Sequence, residues 1–251
     1  MSVIELADVR LDHPHGGPPL VTGASLAVAA GEVVLIVGAA GVGTSRLAAA
    51  ALGEHAAAAG QVRVLGRDVG KLRRSSLRML RRKVGIVPQD LCLLDDRSAQ
   101  LNVVLPLEID GIPRSVSLAR ATEILARLGL ASEAALPIDC LPASVRQRVA
   151  VARALVRDPE LVIADQPTSM QDAEGCELVC EALGAAAARG AGVLVLARDP
   201  ALRWIADARG WRQLGLVGGV LVRLGDQQPA FDEVLVEIDS NLVPFPRAAG
   251  A

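Results

Sequence analysis

Five consecutive apolar residues, Val33-Val34-Leu35-Ile36-Val37, run directly into Gly38-Ala39-Ala40-Gly41-Val42-Gly43-Thr44-Ser45, and this junction constrains the chain more than any other stretch. An unbroken, mostly β-branched run reads as a strand buried on both faces, which belongs in a parallel sheet covered by helices. The glycine run breaks it, and an alanine-rich helix begins near Thr44. Glycines let backbone N–H groups converge on an anion, while the dipole of the following helix adds partial positive charge at the same point. Strand, loop and helix N-terminus together make a phosphate cradle with the spacing of a Walker A loop. Where such a loop has lysine, this chain has Thr44.

A chain of 251 residues with 51% hydrophobic content can bury one substantial core with a subdomain inserted into it. Its formal charge of -2, with only two Phe and two Trp, offers neither a basic field nor stacking platforms, so no nucleic-acid partner is expected. No run of about 18 apolar residues occurs, and Met1-Ser2-Val3-Ile4-Glu5 lacks a basic region followed by a hydrophobic one. The chain therefore reads as cytosolic. Cys92, Cys140, Cys176 and Cys180 form no CxxC pair, and Cys176 and Cys180 share helical spacing without nearby histidines. They read as reduced core cysteines rather than metal ligands.

Along the chain, residues 2–11 and 24–30 alternate as strands, joined by the turn-rich His13-Pro14-His15-Gly16-Gly17-Pro18-Pro19. With no third ligand nearby, His13 and His15 read as solvated loop residues. A helix from Thr44 to about Gly53 is followed by a short strand over Gln61–Leu65 and an arginine-rich helix around Arg73–Arg82, whose charges form a solvated face. Val84-Gly85-Ile86-Val87 is a further buried strand. Three helical stretches within 98–157 are separated by Gly111-Ile112-Pro113, Gly129 and Leu136-Pro137. Strands follow at Leu161–Asp165 and Val193–Ala197 with a helix over about 172–188 between them, and a hairpin turns at Gly218-Gly219. Phe231, Val234, Leu235 and Ile238 share one face of a short helix in the tail. The alternation of strands and helices predicts a parallel sheet covered on both faces.

Six stretches, in order, resemble the nucleotide-binding subunits of ABC transporters, and among them the small cassettes of the division-site complex (FtsE) and of lipoprotein or macrolide export (LolD, MacB). They are Gly31-Glu32, Gly38 to Ser45, Leu80 to Asp90, Asn102 to Leu107, Arg146 to Leu155, and Leu161 to Thr168. The resemblance implies an α/β, P-loop NTPase-like cassette: a RecA-like parallel-sheet core, an N-terminal antiparallel β part and an inserted α-helical subdomain. It places the cassette at 1–225, with the helical subdomain at about 91–157, and leaves a tail at 226–251. It also implies ATP and Mg as cofactors, an integral membrane permease and a second cassette, in a homo- or heterodimer, as partners, and a position on the inner face of the cell membrane. Gly38, Ala39, Ala40, Gly41, Val42, Gly43, Thr44 and Ser45 would cradle phosphate, and Ser45, Gln89 and Asp165 would hold Mg.

Against that family the scaffold positions match and the chemical ones mostly do not. Thr44 cannot place a positive charge between the β- and γ-phosphates; charge-assisted hydrogen bonds are worth about 1.5–3 kcal/mol, so triphosphate binding should weaken roughly ten- to a hundredfold. Gln166 stands where the family has a glutamate general base. An amide orients water but cannot accept its proton, and a positioned base typically contributes about 10²–10⁴-fold. Arg198 replaces the switch histidine. The signature loop reads Leu141-Pro142-Ala143-Ser144-Val145 instead of Leu-Ser-Gly-Gly-Gln/Glu, and Pro142 removes a hydroxyl and a backbone donor, while suiting the first turn of the next helix. Ser169-Met170-Gln171-Asp172 keeps only the final aspartate of the dimer-contact loop. No tyrosine occurs, and the N-terminal loop offers only His13 or His15 where the family stacks a ring on adenine.

Three readings follow. The first is a non-hydrolysing cassette that binds nucleotide weakly through Gly41, Gly43, Ser45 and Asp165 and couples to a permease. The second is a nucleotide-independent adaptor of the permease. The third is a slow ATPase with Gln166 positioning water. Arg46, one residue past Ser45, is a candidate to bring a guanidinium toward the phosphates, but it lies on a different spoke of its helix from the missing lysine and would not restore the base.

Overall fold

The computed structural model describes residues 1–199 and 202–224. The tail helix expected around Phe231 to Ile238 lies outside the described residues.

Two sheets organise the chain. The larger has the order β10-β9-β3-β8-β7-β6, formed by β3 (Val33–Gly38), β6 (Val84–Val87), β7 (Leu161–Asp165), β8 (Gly192–Ala197), β9 (Arg212–Val217) and β10 (Val220–Arg223). Its first five members by position from β6 to β9 are parallel, and β10 closes one edge as the antiparallel arm of the expected hairpin. The smaller sheet is antiparallel, order β2-β1-β4-β5, from β1 (Ser2–Leu11), β2 (Val21–Ala29), β4 (Ala59–Val64) and β5 (Arg67–Asp68).

Side-chain alternation explains how one sheet serves two cores. Val33, Leu35 and Val37 face a core shared with the helices α3 (Ala99–Ile109), α4 (Arg114–Arg127), α5 (Ala143–Leu155) and α6 (Ala173–Ala188). Val34 and Ile36 point the other way, into a core closed by the small sheet. The same split recurs in β7, with Val162 and Ala164 against Leu161 and Ile163, and in β8, with Val193 and Val195 against Leu194 and Leu196. Every residue of β3, β7 and β8 is buried, the outcome that unbroken apolar runs require.

The helix α1 (Thr44–Ala51) lies in the second core, with Leu47, Ala48, Ala50 and Ala51 buried. Its alanines suit a helix crowded on both sides, where larger side chains would not fit. The arginine-rich helix is α2 (Arg74–Arg81), which buries only Leu80 and sends Arg81 Nε 2.9 Å to the carbonyl of Leu52 at the end of α1. Among the elements not anticipated are the two-residue β5, and α7 (Leu202–Ala208), which lacks the length for a periodic signal.

Two expectations need correction. Pro142 is the N-cap of α5, with φ -59 and ψ 155, rather than a residue of its first turn. Of the four cysteines, which are all free, only Cys180 is a core residue; Cys176 is half-buried, and Cys92 and Cys140 are exposed.

Parallel register positions the site. Val37 pairs with Ala197, Asp165 with Leu196, and Val87 with Ala164. The loops that leave β3, β6, β7 and β8 therefore emerge side by side at the carboxyl edge of the sheet, where open α/β sheets bind ligands.

Candidate functional site

The loop from Gly38 to Ser45 turns at Gly41 (φ 82) and Gly43 (φ 109), conformations that side chains rarely adopt. At Gly43 a Cβ would also come within 3.1 Å of Leu20 Cβ and Val21 Cγ2, so the loop is pressed against the start of β2. Gly43 caps α1 without any side-chain hydrogen bond, and no acidic residue occupies the first turn. The leading N–H groups of α1 are thus left to solvent or an anion. Ala39 is half-buried and Ala40 exposed at the outer bend, and Val42 packs against the second core. Thr44 is buried, its Cγ2 only 3.0 Å from where a Cβ on Gly38 would sit. Its side chain is folded under the loop.

Asp165, at the end of β7, is 7% exposed, and its Oδ1 has no hydrogen-bond partner among the described residues. Burial raises the Asp165 carboxyl above its ordinary pKa, while the nearby Ser45 hydroxyl and Arg198 guanidinium pull the other way. Arg198, just past β8, extends Nη2 to within 3.5 Å of Gln89 Oε1. Asp165, Ser45, Gln89 and Arg198 thus form one cluster beside the phosphate loop. Arg46 is half-buried and makes no hydrogen bond or ion pair among the described residues.

Gln166 is held by four hydrogen bonds, one of them from Ser169 N to its carbonyl at 3.2 Å. Its backbone is left-handed, φ 56, a conformation that costs about 1–3 kcal/mol outside glycine and clusters at functional sites. Its N–H donates to Leu196 O at 2.8 Å, and its carbonyl accepts from Gln147 Nε2 at 2.5 Å. The side-chain Oε1 accepts from the backbone N–H of Arg198 at 3.2 Å. A backbone N–H can only donate, so the amide orientation is fixed chemically, and Nε2 is the atom left buried without a partner. At this position the site therefore presents a donor.

Gln147 is the residue whose role the sequence did not reveal. Only 2% exposed, it bonds Gln166 O, Ser169 Oγ at 3.0 Å, Met170 N at 2.9 Å and Gln171 Nε2 at 3.1 Å. Gln171 in turn donates to Ser144 O at 2.8 Å. The loop Leu141 to Val145 is thereby tied to the loop after Asp165, not to the phosphate loop. Leu141 and Val145 anchor it in the core, while Pro142 and Ala143 face solvent with no side-chain donor. Asp172 caps α6 by accepting from Gly175 N at 2.8 Å. Buried Asn102 works similarly after β6: its amide brackets Leu94 through N–H (2.8 Å) and carbonyl (3.0 Å), fixing the segment that follows Gln89. A glutamine or asparagine at an apolar position of a helix pattern was the available signal for both.

His13 and His15 pair with each other, ring centroids 5.7 Å apart, in the exposed loop between β1 and β2. Among the described residues no group of three His, Cys, Asp or Glu side chains could hold a metal by itself. A hard cation such as Mg takes oxygen donors and keeps several waters. Ser45, Gln89 and Asp165 are of that class, and the unpartnered Asp165 Oδ1 fits it, although Gln89 Oε1 already accepts from Arg198.

Comparison with known proteins agrees with this geometry. The family model described as "ABC transporter" matches residues 21–169. The methionine import ATP-binding protein MetN of Caulobacter vibrioides is 38% identical over 179 residues, covering 71% of this chain and 54% of that protein. The macrolide export ATP-binding/permease protein MacB of Escherichia coli O157:H7 is 35% identical over 237 residues, 93% of this chain and 36% of that protein. MacB lies in the expected group and MetN does not. The chain spans about half the length of the MetN relatives that it matches. A dimeric ATP-binding cassette in a post-hydrolysis state with ADP and Pi superposes with a TM-score of 0.79 at 27% identity, covering 88% of this chain and 97% of that one. From the glycine loop to the strand that ends at Asp165, motif, fold and relatives coincide, and the chain belongs to the ABC transporter family of ATP-binding cassettes.

Proposed function

We propose that this chain is a degenerate ATP-binding cassette of a membrane ABC complex, binding nucleotide weakly, hydrolysing little or none, and coupling to an integral membrane permease. Residues 1–225 would form the cassette, with about 91–157 as its helical subdomain and 226–251 as a tail. The chain would sit on the inner face of the membrane beside a second cassette, and among the described residues no helix is long and apolar enough to cross a membrane. Within the family we place it near the FtsE and LolD cassettes on the motifs from Leu80 to Asp90 and Arg146 to Leu155.

One observation carries the loss of hydrolysis. Where general-base chemistry needs an acceptor for water's proton, Gln166 has its oxygen committed to the Arg198 N–H and leaves only an amide donor. The phosphate loop has no lysine, and Thr44 is folded beneath it. Residual nucleotide affinity would come from the loop N–H groups, the α1 dipole, Ser45 and Asp165. Mg, where bound, would be held by Ser45, Gln89 and Asp165 and would neutralise phosphate charge.

Calorimetric titration with Mg-ATP tests the reading, with millimolar affinity and no turnover as the expected result. The absence of heat at millimolar ligand would favour the adaptor, especially if the permease copurifies equally with and without ATP. Turnover that disappears in Asp165→Asn would restore the slow ATPase.

A further inference from the structure

We propose that the Arg198 guanidinium is a resident cation that takes over the place of the divalent metal, so that this cassette binds a nucleoside polyphosphate without obligatory Mg. The inference rests on the weak-binding reading above and names how that site is charged. Ser45, Gln89 and Asp165 are the groups that would hold a metal here. Gln89 Oε1, a neutral acceptor suited to a metal or its water, instead faces Arg198 Nη2 at 3.5 Å. Asp165 is more than nine-tenths buried with an unpartnered Oδ1, so the pocket needs a positive charge or donor there.

The backbone fixes this placement. Arg198 N–H is bound to Gln166 Oε1 at 3.2 Å, and β8 pairs in parallel register with both β3 and β7. The side chain therefore starts from the carboxyl edge, between the phosphate loop and Asp165. Its exposure leaves the guanidinium free to meet incoming phosphate oxygens. An arginine is always charged and presents a planar fork of donors to phosphate, which a metal-free site lacking a loop lysine requires. A guanidinium 3.5 Å from Gln89 Oε1, near enough for its charge to act on Asp165, also opposes entry of a divalent ion by like charge.

The test measures ATP affinity by calorimetry for the full chain and for Arg198→Ala and Arg198→Lys, each with excess Mg and with EDTA. In the unaltered chain the two conditions should agree within about threefold. Arg198→Ala should bind about ten- to a hundredfold more weakly in EDTA, the loss expected for a charge-assisted phosphate contact, and should regain affinity with Mg. Arg198→Lys should stay metal-independent. Because the Arg198 side chain is exposed, unchanged thermal midpoints would verify that the variants fold. Two results would overturn the assignment while leaving weak binding intact: an unaltered chain that needs Mg by tenfold or more, or an Arg198→Ala variant as metal-independent as its parent. No binding by any protein in either condition would overturn both.

Discussion

Replacing Gln147 with alanine removes the α5 side chain that bonds to Gln166, Ser169, Met170 and Gln171 in the turn after β7. Its hydrogen bonds are not equal in cost. Gln166 is 6% exposed, and its carbonyl would lose a 2.5 Å donor while keeping the Ser169 N–H at 3.2 Å, a penalty of about 0.5–1.5 kcal/mol. Ser169 and Met170 are exposed residues, and their freed groups can be hydrated, leaving a few tenths to about 1 kcal/mol for that side of the network. A total of about 1–2.5 kcal/mol follows, equivalent to roughly 2–10 °C in Tm for a chain of this size. Urea unfolding followed by circular dichroism, with the slope unchanged between parent and variant, would measure it. Gln147→Glu should lose at least as much, because it turns an acceptor toward the Gln166 carbonyl. A loss below about 0.5 kcal/mol would refute the reasoning. The turn would then be held by its own bonds, Ser169 N to Gln166 O and Gln171 N to Thr168 O.

Asp165→Asn should raise the stability of the nucleotide-free protein at neutral pH while weakening any Mg-nucleotide binding. Burial puts the folded carboxyl pKa above the unfolded one, so the native state takes up a proton between the two values and stability falls as pH rises through that window. The asparagine variant should flatten this dependence in denaturation curves run from acid to neutral pH. Thr44→Lys should tighten Mg-ATP binding about ten- to a hundredfold in calorimetry yet leave hydrolysis at background, since the base and signature positions are unchanged; turnover from that change alone would refute the role given to Gln166. In native protein at pH 8 a disulfide reagent should modify exposed Cys92 and Cys140 but not Cys176 or Cys180, whose thiols burial pushes up to about 11 and about 12. Rapid labelling of all four would show that α6 opens readily.

The legibility of the chain followed its hydrophobic patterning. Val33–Val37, Leu161–Asp165 and Val193–Ala197 could be read as doubly buried strands because uninterrupted apolar runs have few other places to go. α7 and β5 were not legible: seven and two residues carry too little periodicity. The cysteine reading failed for Cys92 and Cys140 because spacing says nothing about which side of a loop faces water. Gln147 and Asn102 stood out as amides at apolar helix positions, but their partners lie up to 24 positions away or in irregular loops, so no local pattern says what they bond.

The sequence by itself determined that a glycine-rich loop lies between a buried strand and a helix, and that Thr44, Gln166 and Arg198 stand where the resemblance to the family would put lysine, glutamate and histidine. Only the tertiary structure decided what the replacements do: parallel register brings Gln89, Asp165, Gln166 and Arg198 to one sheet edge from the ends of three separate strands. The Arg198 backbone then takes the Gln166 oxygen, while its guanidinium turns toward Gln89. Hydrogen-bond direction and charge act through distances of a few ångströms, and such distances between remote segments exist only once the chain has folded.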